Sequence, residues 1–250
     1  MMTTRFIVLR LLQMLVVLIG AFTVLFLVIY FLVPGDAAQV ALGNHATPES
    51  LENLRRELGL DRPAWTQYGI YLGRLAQFDL GESYELKRSV SGVILDRLPA
   101  TIYLTVAALL LETIMGIGWG MLLALKRSSR LQAISAATGA MLLALPVFFL
   151  GMLLQYVFAT RLRILPLSGI GGWNPLNLIL PAVTLAAAQT AIIAAVSRST
   201  LSAEMKKPYM LAARARGLNR KQLLWRHGLR NSLSPVVTLL AIDFGTLLGG

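Results

Sequence analysis

The chain has 250 residues, 56% of them hydrophobic and only 14% charged, against about 25% charged in an ordinary soluble domain. Several apolar runs exceed the roughly 18 residues that cross a bilayer, which excludes a soluble protein with one large core. The absence of cysteine excludes disulfides and thiolate-held metals, and the net charge of +11 needs a location before it means anything.

Leu11 to Val33 is apolar except for Gln13 and Thr23, is preceded by Arg5 and Arg10, and ends at Pro34-Gly35-Asp36. Its 23 residues exceed the core of about 7–15 residues in a signal peptide, so it reads as a retained first span. The next stretch, 34–97, is polar and carries nine acids. Thr47-Pro48-Glu49-Ser50 has the chemistry of a helix start and Gly59 that of a helix stop. Pro63 opens a second helix with Trp65, Tyr68, Tyr71 and Leu72 at helical spacing. These aromatics fit an interfacial belt or packing against the spans, with a carbohydrate-type aromatic site as the functional alternative.

Four further apolar stretches follow. The second span covers Leu98 to Leu125 and stops at Lys126-Arg127-Ser128-Ser129-Arg130. The third lies within Leu131 to Thr160, where Pro146 and excess length predict a kink, a tilt or both. The fourth occupies Leu176 to Val196, and the fifth starts near Leu233 and is still apolar at Gly250. Gly116-x-x-x-Gly120 and Gly245-x-x-x-Gly249 are candidate faces for close helix packing.

Charge sets the orientation. With the N-terminus in the cytoplasm, the inner segments hold fourteen basic residues and one acid, Glu204, while the outer segments hold nine of each. That matches the positive-inside rule, and the inverted topology does not.

The segment 203–231, between the fourth and fifth spans, reads as helix, break, helix. Tyr209 to Arg216 are good helix formers and Gly217 stands where a left-handed cap would fall. Asn219 with Gln222 three residues on forms a capping box for the next helix. Lying on anionic headgroups is the simpler reading of so basic a loop. A nucleic-acid-reading motif is disfavoured because both ends are tethered to spans.

Ala212-Ala213-Arg214-Ala215-Arg216-Gly217-Leu218, followed by Arg226-His227-Gly228-Leu229-Arg230-Asn231, resembles the shared loop of permeases in binding-protein-dependent ABC importers for dipeptides, oligopeptides and nickel. Leu211 stands where the wider superfamily often has glutamate. Leu58-Gly59-Leu60-Asp61-Arg62-Pro63, Asp79-Leu80-Gly81-Glu82-Ser83, Arg97-Leu98-Pro99-Ala100-Thr101 and Leu180-Pro181-Ala182-Val183-Thr184-Leu185 are similar to that family in the same order.

The resemblance implies an all-α integral membrane protein, a polytopic helical bundle of the type I importer permease fold, with about five of an expected six spans present. It implies three parts: a first span within 1–33, a periplasmic helical segment 34–97, and a permease core 98–250. It implies a coupling helix built on Tyr209, Ala212, Ala213, Arg216, Gly217 and Leu218, and bulk at Gly217 should then uncouple ATP hydrolysis from uptake. Implied partners are a second homologous permease, two ATPase subunits, a periplasmic or lipid-anchored solute-binding protein and the lipid bilayer, in a bacterial inner membrane. Independently, no Gly-x-x-x-x-Gly-Lys-[Ser/Thr] loop occurs, so this chain is expected to bind no cofactor, with ATP and Mg on a partner, and not to be an enzyme.

Glu112, Gln155, Gln189 and Asp243 are polar residues deep in the spans, where charge is costly. The two acids fit pathway lining or structural pairing equally, and the glutamines fit interhelical hydrogen bonds. His45 and His227 stand far apart, and His45 reads as a lone surface residue, so no metal site is expected. A secondary transporter would need an acidic cluster beside the breaks at Pro146 and Pro181, and a membrane enzyme would need a catalytic pair in a shared span. Neither pattern is present. The choice between peptide and nickel stays open, and the unfinished last span predicts a truncated reading frame.

Overall fold

A computed structural model describes residues 4–32, 35–43, 47–83, 86–126, 128–167 and 174–249. Pro34, His45, Glu85, Arg127 and Gly250, used in the sequence reading, lie outside the described residues. The chain divides into two compact units, residues 1–96 and 97–250.

In the first unit, α1 (Thr4–Leu32) buries none of its residues. At about 1.5 Å per residue it is longer than the roughly 30 Å hydrocarbon layer, and lipid is the solvent its side chains suit. After α2 (Ala37–Leu42) comes α3 (Pro48–Leu58), whose Thr47 caps it through a reciprocal box with Ser50 and whose end is Gly59 at φ +68°. Asp36 caps α2 and pairs with Arg55 of α3. Desolvation works to raise the Asp36 carboxyl, but hydrogen bonds from the Gln39 amide and the Arg55 guanidinium outweigh it and hold it below its usual range.

Helix α4 (Ala64–Ala76) starts after Pro63 and resolves the question of its aromatics. Tyr68 and Tyr71 pack against Phe22 and Phe26 of α1, and Tyr68 Oη shares a hydrogen bond of 2.6 Å with Thr23 Oγ1. Trp65 remains 77% exposed. A short antiparallel hairpin, β1 (Glu82–Ser83) with β2 (Arg88–Ser89), is the only sheet among the described residues.

Helix α5 (Val90–Lys126) begins eight residues before the expected Leu98 and runs through Pro99. Pro99 stands nearly three turns into the helix, where it removes one amide donor from the ladder without ending the helix. Helix α6 (Ser129–Ala144), capped by Ser128, is separated by Leu145 and Pro146 from α7 (Val147–Leu154), which continues as a π-helical turn, Gln155–Arg161. The axes meet at 104°. The third stretch is thus two helices at a right-angled corner, not one tilted rod. Leu145 is extended before Pro146, as steric conflict with a proline ring requires.

Helix α8 (Leu176–Glu204) absorbs Pro181 and continues past the expected Val196 and past Arg198 to Glu204. It is the centre of the second unit. Gly116 and Gly120 of α5 lie against it so closely that added Cβ atoms would stand 2.6 Å from Ile193 Cγ2 and 2.7 Å from the Ala194 carbonyl. Hydrogen bonds from Arg198 to Gln132 (2.6 Å) and from Trp119 to Ser135 (2.9 Å) tie α6 to the same bundle.

Candidate functional site

After α8 the chain turns into α9 (Pro208–Ala215), α10 (Arg220–Leu223), a π-helical turn (Leu224–Gly228), α11 (Leu229–Ser232) and α12 (Ser234–Gly249). Pro208 occupies the first helical position of α9, where its missing amide costs nothing. Gly217 has φ +88°, a conformation that a Cβ would strain. Its amide bonds the Arg214 carbonyl at 3.0 Å, and that of Leu218 returns to Ala213. The expected capping box is present: the Asn219 amide donates to Gln222 Oε1 and the Gln222 amide to Asn219 Oδ1, both at 2.9 Å.

One polar cluster fixes α9 to the end of α8. The Tyr209 hydroxyl donates to the buried Glu204 carboxylate and accepts from Asn231 Nδ2 at 2.8 Å. Lys207 Nζ meets the other Glu204 oxygen at 2.6 Å, and that bond raises the lysine above its ordinary value. Burial, and then donation to Glu204, push the Tyr209 hydroxyl up, so it remains a donor. His227 packs edge-on to the Tyr209 ring at 6.5 Å. Below this cluster Met210, Leu201, Leu223 and Leu224 are almost completely buried, and Gly228 lets the π-turn approach Leu201 and Met205.

The other side of α9 faces outward. Leu211 is 59% exposed, and Ala212, Arg214, Ala215, Arg216 and Gly217 are exposed with it, while Ala213 and Leu218 are half-buried. Behind the helix lies a cavity of about 570 Å³ with Leu125, Leu201 and Leu224 on its walls and Lys206, Arg214 and Leu218 beside α9. The segment combines an anchored inner side with an outer face on which small Ala212, Ala215 and Gly217 alternate with Leu211, Arg214 and Arg216.

A family described as "Binding-protein-dependent transport system inner membrane component" matches residues 116–250, more than half of the chain. A companion N-terminal model of such membrane components matches residues 2–105. The chain belongs to this family of importer permeases. Similar curated proteins include the glutathione transport system permease protein GsiC of Pectobacterium atrosepticum, 37% identical over 96% of this chain and 78% of that protein. GsiC of Escherichia coli K12 is 34% identical over 98% of the chain and 79% of its own length. The dipeptide transport system permease protein DppB of Alkalihalophilus pseudofirmus is 33% identical over 96% and 80%.

The permease is therefore a multi-pass inner-membrane transport component, not an enzyme; ATP hydrolysis belongs to an ATPase partner, and a solute-binding protein serves the system. Three of its helices are long and apolar enough to cross a membrane, and five spans result if each bent pair counts as one.

The residues expected to form the coupling helix lie together on and beside α9. The deep polar residues do not all share one place. Gln155 is exposed on the π-turn and donates to the Leu167 carbonyl at 3.3 Å, whereas Glu112, Gln189 and Asp243 lie on α5, α8 and α12. A Cβ added at Gly245 or Gly249 would meet nothing within 4 Å, so these two form no packing face among the described residues. Sequence reasoning missed the Glu204–Tyr209–Asn231 cluster. The available signal was that Glu204 is the single acid among fourteen inner bases.

Proposed function

We propose that this permease imports peptides delivered by an external binding protein, and that α9 is the element through which its ATPase drives it. The observation that carries the reading is the two-sided build of α9. Its Tyr209 is bonded to α8 and α11 and its Met210 is buried, while Leu211, Ala212, Ala215 and Arg216 are exposed. A helix held so firmly on one side transmits a push from the other, and small side chains let a partner's groove approach closely. α8 is continuous over 29 residues, so displacement of its Glu204 end moves the whole helix as a rigid body.

The names of the relatives, glutathione and dipeptide permeases, favour a peptide over nickel. The basic α9 segment and the N-terminus face the cytoplasm on this reading, because fourteen of 23 basic residues then lie inside. A second, homologous permease completes the pathway and two ATPase subunits dock beneath the pair. ATP and Mg bind to those subunits and no cofactor to this chain. Tyr209, Ala212, Ala213, Arg216, Gly217 and Leu218 form the docking element.

The test is a cysteine at Ala212 in the full transporter, which contains no native cysteine in this chain. Disulfide or maleimide crosslinking should capture the ATPase subunit in a nucleotide-dependent manner. Capture of the external binding protein instead would invert the topology and end the proposal, as would peptide uptake that persists after ATP is exhausted.

A further inference from the structure

Glu112 is completely buried in the second unit, and neither of its carboxylate oxygens receives a hydrogen-bond donor. It lies on the packed stripe of α5, with Thr105, Ala108, Gly116 and Gly120. Thr105 Oγ1 donates to the Leu247 carbonyl of α12 at 3.5 Å, which sets these two helices side by side. Two turns along α5 from Thr105 comes Glu112, and one turn back along α12 from Leu247 comes Asp243. That register sets Asp243 of α12 beside Glu112. The pair therefore consists of two acceptors meeting with no donor between them.

The α5–α8 contact adds a third side. Gly116 meets Ile193 and Thr190, and Gly120 meets Ser197 and Ala194; the same register carried one turn toward the N-termini sets Gln189 level with Glu112. No Lys, Arg or His lies between Arg97 and Lys126 on α5 or anywhere on α12. The first cation on α8, Arg198, is nine residues beyond Gln189, roughly 13 Å along the axis. Nothing basic on the three helices is placed to neutralise the pair.

An ionised carboxylate buried without donor or counter-charge costs several kcal/mol, and two facing carboxylates add mutual repulsion. One added proton removes both penalties, because it turns an acceptor into the missing donor. We propose that Glu112 and Asp243 form an intramembrane proton-binding site, holding one proton between the two carboxyls and joining α5 to α12. The O–H of one group donates to the carboxylate of the other, so the pair carries a single negative charge rather than two. Glu112, fully enclosed, is the member that keeps the proton; Asp243, half-buried, carries the charge. The site is separate from α9 and does not depend on which solute is carried.

Infrared spectroscopy of the assembled transporter in membranes at neutral pH reads this directly. The wild type should show a carbonyl band of a protonated carboxyl, Glu112→Gln should lose it, and Asp243→Asn should keep it at a shifted frequency. A wild-type spectrum with no such band that Glu112→Gln removes overturns the proposal. Should Glu112→Gln fail to assemble, the wild type and Asp243→Asn decide between themselves. A protonated band that moves on the aspartate substitution supports the shared proton, and an absent or unmoved band refutes it.

Discussion

Small residues do opposite work in two regions of this permease. Along α5, Gly116 and Gly120 are small because α8 occupies the space that side chains would need, with the Ile193 side chain at Gly116 and Ser197 and backbone at Gly120. Along α9, Ala212 and Ala215 are small while facing open surroundings. Close approach inside the chain explains the first pair. The second pair meets no such neighbour among the described residues; alanine favours the helix there, and it also leaves the face open to the partner proposed above. Residue type alone does not separate these cases; the neighbouring atoms do.

Enlarging one residue in each region is the direct way to break that comparison. Gly120→Leu should have the largest effect, because the Ala194 carbonyl and the Arg198 amide that bound the site are backbone and cannot rotate away. Overpacking of this kind costs about 1–3 kcal/mol or more, read as a lowered melting temperature of the detergent-solubilised transporter and reduced yield. A wild-type melting temperature would show that the α5–α8 seam is looser than described.

Tyr209→Phe sharpens the comparison from the anchored side of α9. It removes the donor to Glu204 and the acceptor for Asn231, at about 1–2 kcal/mol, with Lys207 left to hold the carboxylate. Peptide-stimulated ATP hydrolysis should fall further than stability does, because the attachment loosens while the fold remains. Equal losses in both would reduce the cluster to a purely structural tie.

Ala212→Trp should have the smallest effect on stability, within about 0.5 kcal/mol as for exposed positions generally. Transport should nonetheless be lost, since the added ring blocks the partner's approach. Normal uptake by this variant would remove the reason for assigning the exposed face to the ATPase.

Much of this molecule was legible in its residues. Thr47 and Ser50, Gly59, and the Asn219–Gln222 box stop or start helices where expected, because capping is satisfied within four residues of chain. The position of α9 and its glycine end followed from the same local chemistry. The right-angled corner at Pro146 was only partly foreseen: proline removes a hydrogen bond and disfavours helical geometry before it, yet Pro99 and Pro181 stay inside helices, and the 104° angle depends on what α6 and α7 pack against. The early start of α5 and the late end of α8 were missed because hydropathy marks the apolar length of a helix, not its hydrogen-bonded length.

The sequence by itself determined that the chain lives in a membrane, which of its segments are apolar, and which segments carry the excess positive charge. These follow from transfer free energies that each segment has alone. Only the tertiary structure decided that Thr105 of α5 reaches Leu247 of α12, 142 positions away, and that Glu204, Tyr209 and Asn231 form one cluster. Such pairings depend on register between helices, set by which backbones approach closely and which side chains fill the space between them, and no short stretch of chain contains that information.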